Sequence, residues 1–427
     1  MTEDFANSYF KKYGNALTQF PQQFFPLDLI VVIPCFNEPD IGRTIHSLEQ
    51  CEINSLRVAC VVVVNSSEVS PPEVIEQNRK TMAHLTAAGS LLENKIKLFV
   101  VQSEKLPKKH AGVGWARKIG MDWAVAHFSY SGNRNGVIVS LDADTFVEEN
   151  YLTAIWSYFQ QYSKSVAATI AFEHRIETKD SNDQIVNDAI VWYELYMRYY
   201  RNALRYVGFP ASFYTVGSCF AVRADAYVAQ GGMNWRQAGE DFYFLHKIAT
   251  FGEVGEINST TVFPSDRISD RVPFGTGPVI RKFIEGDRSF CYSYALESFL
   301  VLNPFFMRVA DFYSFNGDVP VSFFSANNLF QEFLLANDLV TQIVELAANC
   351  GSCEMFTRRF FHLFNAFIVL KWLNFAADHP DGYPREYLPD SCAKLLALMG
   401  VSLTENLHEP KLMLNLFRQV DKDYSNH

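Results

Sequence analysis

Two carboxylates one residue apart, Asp142-Ala143-Asp144, follow directly on the apolar run Val137–Leu141. That run is short and rich in β-branched residues, which predicts a buried strand. Carboxylates at the carboxyl end of a parallel strand face the crevice where open α/β sheets bind ligands. Such a pair suits a hard divalent cation that also carries phosphate oxygens. It suits a solvated turn with a helix-capping Asp equally well.

Other polar clusters stand at comparable places. Pro34-Cys-Phe-Asn-Glu38 ends the apolar run Leu29–Ile33, and Asn65-Ser-Ser-Glu68 ends Val58–Val64. Neither has the Gly-x-Gly-x-x-Gly turn of dinucleotide-binding folds or a Gly-Lys-Ser/Thr phosphate loop, which argues against a dehydrogenase and a phosphate-loop kinase. Polar ends on neighbouring strands can hold a base and a ribose, or can be capping turns. Lys108-Lys-His110 precedes the helix-like Ala111–Arg117, where free amides and small residues suit an anion; a solvated basic turn fits Lys108 better. Arg117 lies about two turns into that helix, in reach of a diphosphate. Glu240-Asp241 opens an apolar helix after Gly239. There a carboxylate either complements the helix dipole or serves as a general base.

The elements that must position these residues alternate. Strands are predicted over 29–33, 58–64, 96–101, 137–141 and 165–172, with helices beginning at Ile41 and covering 71–85, 111–128 and 150–162. Strand–helix alternation implies a parallel sheet. A long aromatic helix follows over 183–205, then a strand within 214–222 and a helix over 240–250. Beyond about Pro278 strand signals vanish, and helical spacing recurs over 325–346, 355–375, 392–399 and 410–420. The division expected is an arm over 1–25, an α/β catalytic domain over 26–285 and an all-helical domain over 286–427.

With 427 residues, 48% hydrophobic and 20% charged, the chain can bury a large core. A net charge of −10 argues against general nucleic-acid binding. The N-terminus has no signal-peptide pattern. The most membrane-like stretch, 360–377, is interrupted by His362, Asn365, Lys371 and Asn374 and reads as a buried helix. The eight cysteines are scattered, and Cys350-Gly-Ser-Cys353 has no second pair to complete a metal site. A cytoplasmic chain with reduced thiols is the expectation.

Taken together, the motifs resemble the inverting glycosyltransferases of family two, which have the GT-A fold. The family's Pro-x-Tyr-Asn-Glu turn is matched by Pro34–Glu38. Its Gly-x-x-x-Ala-Arg-Asn-x-Gly helix is matched by Gly112–Gly120, its Asp-x-Asp by Asp142–Asp144, and its Gly-Gly followed by Glu-Asp by Gly231-Gly232 and Glu240-Asp241. The resemblance runs from about Leu29 to Ile248. The chain departs at Asn65-Ser-Ser, where the family often has Asp-Asp-Gly-Ser. It also lacks the Gln-x-x-Arg-Trp of processive members and the family's common membrane helices, so a non-processive, bacterial-type enzyme is indicated. In the Gln-x-x-Arg-Trp region stands Ser265–Gly277, whose Arg267 and Arg271 either close over a diphosphate or belong to a surface loop.

The resemblance implies transfer of a sugar from a UDP- or GDP-linked donor to an acceptor hydroxyl. Asp144 and Asp142 would hold Mn²⁺ or Mg²⁺, with Asp142 also in reach of the ribose. Pro34, Phe36, Glu38, Asn65 and Arg117 would line the nucleotide, and Arg267 and Arg271 would meet phosphate. Asp241 would be the base and Glu240 would bind the acceptor. The helical domain would supply an acceptor wall or a homodimer surface, and peripheral membrane contact stays open. Rival readings are a retaining GT-A enzyme, a sugar nucleotidyltransferase and a non-catalytic nucleotide-sugar-binding relative.

Overall fold

The structure is a computed structural model that describes residues 5–14, 21, 24–92, 95–176, 181–234, 239–265, 267, 275–314, 319–402 and 408–424. Its centre is an eight-stranded sheet made of β1 (Leu29–Cys35), β2 (Val58–Ser67), β3 (Ile96–Leu106), β4 (Val137–Ser140), β5 (Phe146–Val147), β6 (Ala167–Phe172), β7 (Phe220–Arg223) and β8 (Val254–Phe263). The order across the sheet is β3-β2-β1-β4-β7-β6-β8-β5. The first four strands are mutually parallel, β7 and β5 run antiparallel to their neighbours, and β8 is parallel to β6. This is the mostly parallel, helix-flanked sheet expected of a GT-A fold.

The sequence explains why the middle of this sheet forms. All seven residues of β1 are buried, as are the first nine of β2. Strands covered by helices on both faces need such unbroken apolar runs. The chain runs outward from β1 to β2 and β3, then returns to place β4 on the other side of β1. That reversal opens a crevice beyond the carboxyl ends of β1 and β4. Glu38 and Asp142 follow those two strands.

The helix Val113–Tyr130 lies against β1 and β2. Gly120 makes the approach possible: a Cβ there would overlap Val32 Cγ1 and come within 3.0 Å of Val63 Cγ2. Only a glycine lets the helix backbone sit so close, and that closeness carries Arg117 to the crevice.

The chain divides into two compact units. One comprises residues 1–187, 215–281 and 421–427, and the other 188–214 and 282–420. The second unit is helical, apart from a two-residue antiparallel ladder of Tyr292–Ser293 with Glu386–Tyr387; this short ladder is the one departure from an all-helical region among the described residues. Its core is aromatic. Phe305, Phe330, Phe360, Phe364 and Trp372 are essentially fully buried, and the Trp372 indole donates to Ser298 O at 2.8 Å.

Several boundaries differ from expectation. The run expected over 325–346 is two helices, Asn328–Ala336 and Leu339–Ala348, broken where Asp338 takes φ +54°. The run over 355–375 is also two helices, Cys353–Leu363 and Ala366–Asp378, bent by 55°. Asn365 causes that break by accepting from the amides of Phe367 and Ile368 as an N-cap. Among the described residues no single helix is long and apolar enough to cross a membrane. All eight cysteines are free.

Gly120→Ala is expected to destabilise the chain by about 1–3 kcal/mol through overpacking, whereas Gly132→Ala, where a Cβ meets nothing within 4 Å but φ is +74°, should cost only its backbone strain. Denaturant midpoints of the two variants compare them; equal and small effects would show that the helix can move off the sheet freely.

Candidate active site

The turns that end β1, β2 and β4 are fixed by buried polar side chains on the flanking helices. Asn78, on the helix Pro72–Leu92, donates to Asn65 O at 2.9 Å and accepts from the Asn37 amide at 3.0 Å. Asn37 has φ +48°, a left-handed conformation that Asn tolerates. Thr81 and Gln77 of the same helix donate to Glu38 O. Thr44, on the helix Ile41–Gln50, donates to Ala143 O at 2.8 Å and so pins the middle of Asp142-Ala143-Asp144. Ser140 Oγ donates to Gly217 O at 2.7 Å and ties β4 to the loop before β7.

Two guanidinium groups then join carboxylates that lie far apart in the sequence. Arg117, 2% exposed, donates through Nη2 to Asp142 Oδ1 at 2.7 Å and through Nη1 to Glu240 Oε1. Glu240 is itself 3% exposed. A Cβ on Gly217 would come within 2.7 Å of Arg117 Nη2, so that glycine makes room for the fork. Burial works against the charge on Arg117, but Glu240, Asp142 and Asp241 outweigh it and hold its pKa above the ordinary value. The second group, Arg267, donates to both oxygens of Glu38, at 3.1 Å for the longer bond, and to Asp144 Oδ2 at 3.3 Å. Glu38 is fully buried and also accepts from the Asp40 amide at 3.0 Å.

Glu240 and Asp241 open the helix Glu240–Ala249, which starts after Gly239 at φ +69°. The helix dipole favours ionised carboxylates here, yet it does not win at Asp241. Burial and the neighbouring Glu240 push the Asp241 carboxyl up to about 7, against the opposing pull of Arg117 and of the Phe242 amide. That amide donates to Asp241 Oδ1 at 2.7 Å. A carboxyl poised near neutrality suits proton transfer better than it suits a cap.

Arg117, Asp142, Glu240 and Asp241 therefore form one group, and Glu38, Asp144 and Arg267 another. Arg117, expected at a diphosphate, is buried with its guanidinium donating to two carboxylates, and Glu240, expected at an acceptor, is buried against Arg117. Pro34 lies buried within β1, and Phe36 and Asn65 stand at the ends of β1 and β2 with Phe36 half-buried and Asn65 buried. Lys108 is exposed at the surface. Arg271 lies outside the described residues.

Thr44, Asn78 and Thr81 were not anticipated, nor was the space that Gly217 leaves for Arg117. A sequence signal existed for the first three, which are small polar residues on otherwise buried helix faces. Ser66 Oγ and Thr145 Oγ1 are buried without a partner among the described residues, one beside each strand end. Among the described residues no group of three or more His, Cys, Asp or Glu side chains is placed to hold a metal.

Residues 30–229 match the model of the family Glycosyl transferase family 2. Over these residues the chain is similar to the glycosyltransferases of that family. The match includes Glu38, Arg117, Asp142 and Asp144 and ends before Glu240. No curated protein matches the chain. Among solved structures, S. aureus TarS 1–349 in complex with UDP-GlcNAc is 14% identical, with 93% of this chain and 91% of that chain covered and a TM-score of 0.36. S. aureus TarS 1–349 in complex with UDP is 13% identical, with the same coverage and a TM-score of 0.35. S. aureus TarS itself is 13% identical, covered over 94% of this chain and 56% of its own, with a TM-score of 0.33. Likeness at that level assigns no residue roles.

Breaking the buried fork has a stated cost. Arg117→Met strands Glu240 without a cation and should destabilise the chain by about 3–5 kcal/mol. The double variant Arg117→Met/Glu240→Leu should recover much of that loss, because it removes both buried charges. Urea unfolding of the two variants decides; a single variant that unfolds like wild type would show the fork to be loose.

Proposed function

We propose that the chain is a metal-dependent, inverting, non-processive glycosyltransferase that moves a sugar from a UDP- or GDP-linked donor to an acceptor hydroxyl. One observation carries the base assignment: Asp241, half-buried at the start of its helix, has its carboxyl pushed up to about 7 by burial and by Glu240. Near pH 7 such a group can take the acceptor proton as the oxygen attacks the anomeric carbon in line, which is the chemistry of inversion. Arg117 holds Glu240 on one side and Asp142 on the other. It thereby fixes the distance between the base and the donor side, which is what positioning must achieve.

The residues on the donor side fit a hard cation. Asp142 and Asp144 are partly exposed, at 37% and 26%. Asp144 already attracts a cationic group, Arg267. Two carboxylates without a third protein ligand suit Mn²⁺ or Mg²⁺ held jointly with a diphosphate. When bound, the ion would neutralise charge on the departing nucleoside diphosphate. Arg267 would exchange its contact with Asp144 for phosphate while Glu38 keeps it oriented. Asn65, Phe36 and the unpaired Ser66 hydroxyl would line the nucleoside.

A retaining reaction needs a nucleophile or a donor-side rearrangement in place of a base, and the raised pKa of Asp241 favours the inverting reading. The non-catalytic reading predicts no donor hydrolysis by wild type with any nucleotide sugar.

Asp241→Asn keeps the size but cannot accept a proton at neutral pH. Turnover should fall about 10²- to 10⁴-fold with donor affinity nearly unchanged. The same variant should be more stable than wild type at pH 7–8. In the unfolded chain Asp241 ionises near the ordinary value of about 3.9, and in the folded chain near 7. The unfolded state therefore holds fewer protons between those values, and stability falls as pH rises through that window. Near-normal turnover with a lowered melting temperature would instead make Asp241 a helix cap. Asp144→Ala should abolish metal-dependent binding of UDP or GDP while leaving the fold intact, since a partly exposed turn carboxylate carries little packing; calorimetry showing wild-type affinity for nucleotide and Mn²⁺ would remove Asp144 from the metal site.

A further inference from the structure

The N-terminal helix Asn7–Tyr13 docks through a buried polar ring that the transferase reading leaves unused. Tyr9, 3% exposed, donates from its hydroxyl to Asp122 Oδ1 at 2.6 Å and accepts from Lys118 Nζ at 2.8 Å. Lys118 also donates to Asp122 Oδ2 at 2.8 Å, and the Tyr227 hydroxyl donates to Asp122 Oδ1 at 2.8 Å. Lys118, Asp122 and Tyr227 are all buried. Burial keeps the Asp122 carboxyl above its ordinary pKa despite Lys118 and both tyrosines.

The ring reaches both halves of the site. Lys118 follows Arg117 on the same helix. Tyr227 O accepts from the Gly232 amide at 2.9 Å, and the Tyr227 ring meets that of Phe244 at 5.8 Å. Phe244 stands four residues after Glu240, on the same face of that helix. The Gly231-Gly232 turn is shaped by the N-terminal helix itself. Both glycines have positive φ, +76° and +73°; a Cβ on Gly232 would overlap the Tyr9 hydroxyl, and one on Gly231 would come within 3.1 Å of Tyr13 Cζ.

We infer that the N-terminal helix is a positioning element of the transferase site, with Tyr9 as its key. By locking the Gly231-Gly232 turn and the helix Val113–Tyr130 to one ring of hydrogen bonds, it sets Glu240-Asp241 against Arg117. Displacements of about 1 Å at such a distance from the chemistry can cost about 10²-fold in rate. The inference rests on the proposed transferase function.

The test uses full-length Tyr9→Phe and Tyr9→Ala. Tyr9→Phe keeps the ring packing and loses only the hydroxyl, so it remains informative if Tyr9→Ala does not fold. Tyr9→Ala should lower the kcat of donor hydrolysis by about 10²-fold and Tyr9→Phe by less. The Kd for UDP with Mn²⁺ should stay within about twofold of wild type, because Thr44 and Ser140 also pin the strand end that carries Asp142 and Asp144. The pH midpoint of kcat should move down toward the ordinary carboxylate range as water reaches Asp241. Amide exchange over Glu240–Leu245 should quicken in both variants. Unchanged kcat and pH midpoint with only a lowered melting temperature would overturn the inference and leave a purely structural helix. Unchanged exchange over Glu240–Leu245 would overturn it whatever the activity. Failure of wild type to hydrolyse any nucleotide sugar would instead refute the transferase reading, and the exchange measurement would still decide the role of the helix.

Discussion

The site depends on one buried guanidinium. Arg117 must be taken out of water, which is costly unless its donors are matched. The match comes from two carboxylates on elements 98 residues apart in the chain, Asp142 after β4 and Glu240 at the start of a helix. Once that fork closes, the strand end and the helix end cannot move independently. The glycines around it follow from this constraint. Gly120 brings the helix close enough to the sheet, and Gly217 leaves space for the guanidinium itself.

The same constraint sets the chemistry of Asp241. Glu240 supplies a negative charge beside it, and Arg117 returns a positive one, but that guanidinium is already shared between two carboxylates. Burial adds to the repulsion, and the balance leaves Asp241 near 7. Elsewhere the chain spends its charges differently. Arg57 and Asp28 pair at the surface, where the geometry is bidentate and the return is small. Glu194 in the second unit is fully buried and accepts from Arg198 and Arg418, so its charge is matched within that unit.

Much of the parallel half of the sheet was legible, because β1, β2 and β4 are buried on both faces and must be apolar throughout. β5 and β8 were not. β5 has two residues, and β8 (VGEINSTTVF) mixes Glu, Asn, Ser and Thr into a strand whose apolar positions do not alternate cleanly. The Asp-Ala-Asp turn and the Glu-Asp helix start could be marked as candidates from type and spacing. That Arg117 would be spent on them could not, since a guanidinium near a helix start looks the same whether it meets a phosphate or a carboxylate. The N-terminal helix lies in the stretch expected only as an arm over 1–25. Its signal was present in Tyr9 and Tyr13, four residues apart on one face, but a seven-residue helix has too little periodicity to show what it packs on.

The central claim is that the crevice beyond β1 and β4 binds a nucleoside diphosphate together with a divalent cation, opposite a carboxyl that acts as base. Calorimetric titration of the wild-type chain with UDP and with GDP, each with and without Mn²⁺, tests it most directly. The account predicts saturable binding of at least one of the two nucleotides that is strongly enhanced by Mn²⁺. Binding of neither nucleotide, or binding indifferent to the metal, would contradict it.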